Sequence, residues 1–205
     1  MTAPELGSLL WVTLKVASTS TAVSLVPGVA TGWFLAHRKS PWVEAAVNLP
    51  LVVPPVAAGL ALLTVLHWLD PDVVFTWVAA AIAAMVMAFP LLVRSVQQAF
   101  AAVPGSLEQS AATLGASPWD VFRTISLPLA RRGIVNGSLL TFARSLGEFG
   151  ATMLVAGIVP GSTETLATGI YSRIVNNHTS DAWILAGLAG ALSFGAIFVA
   201  NRLQD

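Results

Sequence analysis

Few residues in this 205-residue chain are equipped for chemistry. Ten Lys and Arg, ten Asp and Glu and three His are spread along it, and there is no Cys. Thiol chemistry, disulfides and Cys-based metal sites are therefore excluded. His37, His67 and His178 fall in loops or at helix ends without ligand spacing, so they read as ordinary surface histidines and no metal site is expected. No Gly-x-x-x-x-Gly-Lys-Ser/Thr run is present, so the chain lacks the phosphate cradle needed to hydrolyse ATP. No nucleophile–base pair points to a catalyst. The charges that stand out are Arg144 and Glu148, four residues apart in an otherwise apolar run. That spacing puts them on one helix face, and a charge inside a spanning helix faces a partner or a water-filled path. Either Arg144 steers or gates an anion, or the two form a structural salt bridge that locks the bundle near its cytoplasmic side; the sequence favours the salt bridge. Arg94 either snorkels to the cytoplasmic interface or adds positive potential to the path, and snorkelling is the preferred expectation. Lys15, about ten residues into the first apolar run, either reaches the outer interface or attracts an anion at an entrance.

The elements that hold these residues follow from composition. Apolar residues make up 56% of the chain and charged ones only 10%, against roughly a quarter charged in a soluble domain. Lipid is the solvent that suits such a chain. A spanning helix needs roughly 20 mostly apolar residues, and five segments qualify: 6–35, 45–68, 77–100, 134–158 and 182–200. The expected class is all-α, an integral membrane bundle of about five transmembrane helices in a single domain over residues 1–205. The N-terminal run has Glu5 and no cation before it and is long enough to span, so it reads as a retained helix rather than a cleaved signal. The zero formal net charge gives no argument for a nucleic-acid partner.

Cations in the short connections set the orientation. The first connection carries His37, Arg38 and Lys39, the second Asp70 and Asp72, and the long third, at about 101–133, Arg123, Arg131 and Arg132. The first and third connections and the C-terminus are expected in the cytoplasm, and the N-terminus outside. Trp11, Trp42, Trp68, Trp77 and Trp183 lie near expected helix ends, as interfacial anchors do. In the fourth connection, residues 163–175 suit a short amphipathic helix with Leu166, Ile170 and Ile174 on one side, partly buried and not a sixth crossing.

The third connection holds the densest signal. Residues 109–114 read as a helix that Gly115 ends with a positive φ. Ser117 is placed as N-cap and Pro118 at the first position of a second helix. That helix is expected to run from Trp119 to about Ile125, with Pro128 breaking it before the next span. Two short helices around a glycine make a compact knob, and Trp119, Val121 and Phe122 make it more apolar than a solvated loop needs. It suits docking into a cleft on another protein.

This stretch resembles the signature loop of binding-protein-dependent ABC importer permeases: Glu-Ala-Ala, three residues, Gly, nine residues, Ile, one residue, Leu-Pro. Aligned on Gly115, the residues Ala111, Ile125, Leu127 and Pro128 match, while Gln109 and Ser110 replace the usual Glu and Ala, and Glu108 stands one position early. The run 142–152, Phe-Ala-Arg-Ser-Leu-Gly-Glu-Phe-Gly-Ala-Thr, resembles the molybdate/tungstate permeases within that family, as do 49–56 before the second crossing, 89–94 in the third, and 159–166 in the outer loop. The resemblance covers nearly the whole chain and is short between the second and third spans.

The resemblance implies the type I importer permease fold, working as a homodimer in a bacterial or archaeal inner membrane. Two separate cytoplasmic ATPase subunits would use ATP and Mg, since this chain binds no cofactor, and an extracytoplasmic binding protein would deliver molybdate or tungstate. The coupling loop would comprise Glu108, Gln109, Ala111, Gly115, Ala116, Ser117, Pro118, Trp119, Phe122, Ile125, Leu127 and Pro128. The same machine carrying sulfate or thiosulfate is the alternative. An ion-gradient transporter ranks lower, because only Glu148 is available as an intramembrane carboxylate and it would need no docking knob.

Overall fold

The computed structural model describes residues 2–202. Ten α-helices follow one another with no strand among the described residues. Helix α1 (Ala3–His37) starts at a reciprocal cap in which Thr2 Oγ1 accepts from the Glu5 amide and the Glu5 carboxylate accepts from the Thr2 amide. Its 35 residues reach about 52 Å, well beyond the hydrocarbon thickness. Helix α4 (Trp77–Ala101) is the centre of the bundle, with α1 and α7 (Leu127–Leu146) packed along adjacent strips of its surface and against each other. Glycines permit that close approach. A Cβ on Gly28 or Gly32 would lie 2.5 Å from the Leu92 or Val96 side chain. Along the neighbouring strip a Cβ on Gly133 would collide with Ala99, and one on Gly137 would stand 2.7 Å from Ser95. Two Gly-x-x-x-Gly runs, one from α1 and one from α7, therefore seat side by side on α4, as small residues allow in lipid.

Three of the five expected spans are uninterrupted apolar helices: α1, α4 and α10 (Thr179–Arg202). The other two are broken. The second consists of α2 (Pro41–Val52) and α3 (Pro55–Leu69), bent through 112°. The cause is Pro54-Pro55: a residue before proline is pushed out of the α region, and both Val53 and Pro54 are extended. The fourth, expected over 134–158, is α7 followed by a break at 147–149 and the short α8 (Gly150–Ala156). The two breaks meet. A Cβ on Gly150 would lie 2.9 Å from Pro55 Cβ, and one on Gly59 would lie 2.8 Å from Ala151 Cα.

On the α1 N-terminal side, α9 (Leu166–Val175) is capped by Thr165 and Thr168. At ten residues it spans about 15 Å, too short for a crossing. Leu166 and Ile170 pack on Leu9 and Leu185. Ile174, expected on the same side, is exposed. Trp11, Trp42, Trp68 and Trp183 are exposed, whereas Trp77 is covered by Lys15, whose Nζ sits 3.6 Å from the ring centroid. The ammonium of Lys15 thus makes a cation–π contact with a ring at the start of α4.

Candidate functional site

At the knob, α5 (Gly105–Thr113) ends in a Schellman turn. The Gly115 amide donates to Ala112 O at 3.0 Å and the Ala116 amide to Ala111 O at 3.1 Å, with Gly115 at φ +90°. Ser117 then caps α6 (Pro118–Val121) with Pro118 in the first turn, as expected. The reciprocal partner is Asp120, whose carboxylate accepts from the Ser117 hydroxyl at 2.6 Å and from its amide. Pro128 does not break the chain as expected. Residues Phe122–Ser126 form a π-helical turn that runs without interruption into α7. The Leu127 amide reaches back five residues to Phe122 O, and the widened turn accommodates the proline. The knob is therefore a direct extension of α7.

Aromatic rings fasten it to the bundle. Phe122 lies edge-on to Trp33 of α1 at 5.7 Å, stacked near Phe100 of α4 at 6.0 Å, and stacked on Trp119 at 5.4 Å. Phe122 and Val121 are half-buried against the bundle. The most exposed apolar side chains of the knob are Trp119, 64% exposed, and Leu114, 89% exposed. Gln109, Pro118 and Pro128 are exposed too, while Ala111, Ala116, Ile125 and Leu127 are half-buried.

Glu108 turns inward. Its Oε1 accepts from Ser126 Oγ at 2.5 Å, and its Oε2 lies 3.5 Å from His37 Nε2 at the end of α1. His37 in turn contacts Trp33 O through Nδ1 at 2.9 Å. His37 is thus part of a connected network and not an isolated surface residue. These groups edge a groove of about 300 Å³ between α1 and the knob.

At the other end of α7, Arg144 Nη2 and Glu148 Oε2 are 2.9 Å apart, and Glu148 Oε1 accepts from the Ala151 amide at 3.1 Å. The pair forms, but across the end of α7: Glu148 lies beyond the last helical residue, Leu146. Ser145 Oγ meets Ser20 Oγ at 3.0 Å, and Ser20 is the middle residue of α1, so the pair lies level with the middle of that helix. Arg94 donates from Nε to Asn48 Oδ1 at 2.8 Å, tying α4 to α2. Sequence reasoning missed a second buried pair, Glu164 with Arg173 at 2.8 Å. The only available signal was an acid and a base within one short connection.

The family described as "binding-protein-dependent transport system inner membrane component" matches residues 28–205. A molybdenum transport system permease protein of Escherichia coli K12 is 40% identical over 85% of this chain and 82% of its own length. That of Haemophilus influenzae is 38% identical over 82% of this chain and 79% of its own. The fold is also that of a chain in the inward-facing MetNI methionine ABC transporter, with a TM-score of 0.76, 20% identity and 99% coverage of both chains. With that match over most of its length, and with the broken spans and the knob in place, this chain belongs to the family of inner membrane components of binding-protein-dependent transport systems.

Proposed function

We propose that this chain is the membrane permease of an ATP-driven importer that carries molybdate or tungstate into the cytoplasm. As a member of its family it is a multi-pass inner-membrane transport subunit and not an enzyme. The observation that carries the cargo reading is the 40% identity to the Escherichia coli molybdenum permease across most of both chains. In this reading two copies pair, each docks one ATPase subunit that supplies ATP and Mg chemistry, and an oxyanion-binding protein delivers cargo from outside. The N-terminus is outside and the C-terminus cytoplasmic, in line with the cations on the knob side.

The knob at 105–126 is the coupling device of this reading. Leu114 and Trp119 supply an apolar face for the ATPase cleft, and Gly115 holds the two short helices at a fixed angle. Motion of the knob then reaches α7 through the continuous backbone and α1 through Phe122–Trp33 and Glu108–His37. Reconstitution with the ATPase and with binding protein loaded with molybdate, tungstate or sulfate tests it. ATP-dependent uptake of molybdate or tungstate but not sulfate is the expected result. Uptake of sulfate alone overturns the cargo, and failure of any ATPase to associate overturns the importer itself.

A further inference from the structure

Arg144 poses a physical problem where it stands. Its side chain is 35% exposed while its partner Glu148 is 2% exposed. Ser20, which fixes the depth of neighbouring Ser145, lies about 26 Å from either end of α1 and at the centre of the apolar run 6–35. Hydrocarbon does not tolerate a half-exposed guanidinium at that depth, so its open side must face water or protein. The backbone beside it makes the same demand. Residues 147–149 are not helical, and Gly147 is exposed. Irregular backbone at membrane depth survives only where protein buries it or a water-filled cavity wets it. The kink at Pro54-Pro55 abuts this break through the Pro55–Gly150 contact, so two interrupted spans converge on one place.

We infer that Arg144 and Gly147 line a water-filled section of the translocation path at mid-membrane, where the Arg144 guanidinium takes the passing oxyanion in competition with Glu148. The inference deepens the oxyanion reading above and rests on it for the cargo. An unopposed arginine would hold a dianion too firmly to release it. Glu148 supplies the opposition. It is buried, anchored by the Ala151 amide, and cannot follow the guanidinium outward. Cargo that draws Arg144 away leaves Glu148 without its cation, and that penalty pulls the arginine back and frees the anion. The pair is thus a built-in release mechanism, and its salt bridge and its transport role are one function.

The absence of cysteine makes the test direct. Position 147 has ordinary backbone angles and open space for Gly147→Cys: the nearest outside atom to a Cβ there would be Arg144 O, at 3.9 Å. The assembled complex in proteoliposomes is treated with an anionic (sulfonate) and a cationic (trimethylammonium) methanethiosulfonate reagent. Both should react, the anionic one faster, and molybdate should slow it. Adding Glu148→Gln, which keeps an acceptor for Ala151, should raise the anionic-to-cationic rate ratio, and adding Arg144→Gln with Glu148→Gln should lower it, each on the order of tenfold. The double change leaves no buried charge unpaired, so a folding defect does not mimic the result, and assembly with the ATPase checks this. No reaction with either reagent in a complex that imports molybdate overturns the water-filled section. A ratio unmoved by the double change overturns the role of Arg144. If the unsubstituted complex imports no oxyanion, the cargo reading fails, while the reactivity of Gly147→Cys still decides whether the path is there.

Discussion

Replacing Glu108 by Ala is the sharpest probe of how the knob is tied to the bundle. The hydroxyl of Ser126 donates to Glu108 Oε1 at 2.5 Å, and Ser126 is buried. A hydrogen bond to an ionised acceptor contributes about 1.5–3 kcal/mol. The His37 contact is 3.5 Å long and partly solvated, so it adds about 0.2–1 kcal/mol at most. After the substitution Ser126 Oγ keeps only a 3.5 Å contact to Val121 O. The tie should weaken by about 2–3 kcal/mol in total, a factor of roughly 30–150 in the equilibrium between docked and detached knob. Glu108→Gln retains an acceptor but not the charge, and should lose about half as much, because charge-assisted bonds are roughly twice as strong as neutral ones. Hydrogen exchange of amides 105–121 reads the detachment, and the ratio of ATP hydrolysed to anion imported reads its consequence. Exchange should rise in the order wild type, Gln, Ala, with coupling falling in the same order. Equal exchange in all three would show that the aromatic contacts of Phe122 alone hold the knob, and that the inward turn of Glu108 is incidental.

Other changes isolate other contacts. Gly115→Val puts a branched residue at φ +90° where space is open, so the cost is backbone strain of about 1–2 kcal/mol, seen as faster exchange in 105–121 and as lost cargo stimulation of the ATPase. Leu114→Asp changes an exposed position, so the thermal midpoint of the permease should stay within about 1 °C, corresponding to less than ~0.5 kcal/mol, while ATPase binding in a pull-down weakens at least about tenfold; Trp119→Asp should weaken binding likewise but also lose the stack on Phe122, about 0.5–1.5 kcal/mol. Gly28→Ala drives a methyl onto Leu92 and should lower stability by about 1–3 kcal/mol, with Leu92→Ala in the same chain recovering part of it; a recovery of nothing would mean the two helices are not in contact there. Lys15→Met removes the cation over Trp77 and should cost about 0.5–2 kcal/mol, measured against Trp77→Leu and the double substitution in a mutant cycle.

Apolar run length located the helices because lipid sets the length a span must have, and α1, α4 and α10 emerge nearly where composition placed them. Local turn chemistry was equally legible: Gly115, Ser117 and Pro118 act through their own backbone and their immediate neighbours, so their roles need no tertiary knowledge. Pro128 misled because its effect depends on what the helix does around it. A π turn has no sequence signature as plain as a cap, and it converted an expected break into a continuous rod. The break at 147–149 was hidden for a similar reason. Residues 134–158 are apolar enough to be one span, and what interrupts them is Glu148 turning back to Arg144 and the Ala151 amide, with α3 pressed against Gly150. The partial burial of Phe122 was not legible, because nothing in the local sequence reveals that Trp33 and Phe100 arrive from distant helices to meet it.

In the proposed mechanism, the continuity of α7 sets how the coupling knob and the Arg144–Glu148 pair relate. Twenty residues make a rod of about 30 Å, joined to the knob by the π turn at one end and carrying Arg144 just before the other. Gly133 and Gly137 hold it close to α4 at the knob half, while its far end meets α1 through Ser145 and Ser20. Hydrogen-bonded helices bend little, so a tilt imposed at Leu127 arrives at Arg144 as a displacement and is not absorbed on the way. Glu148 does not share that motion, because it lies past the helix end and is held by α8, which is packed on α3. Tilting α7 therefore changes the distance between the guanidinium and its carboxylate partner. A break placed beyond Leu146 and not nearer the knob is the arrangement that lets a movement at the docking face alter charge pairing at mid-membrane; an unbroken helix over 134–158 would carry both members of the pair together and leave their separation fixed.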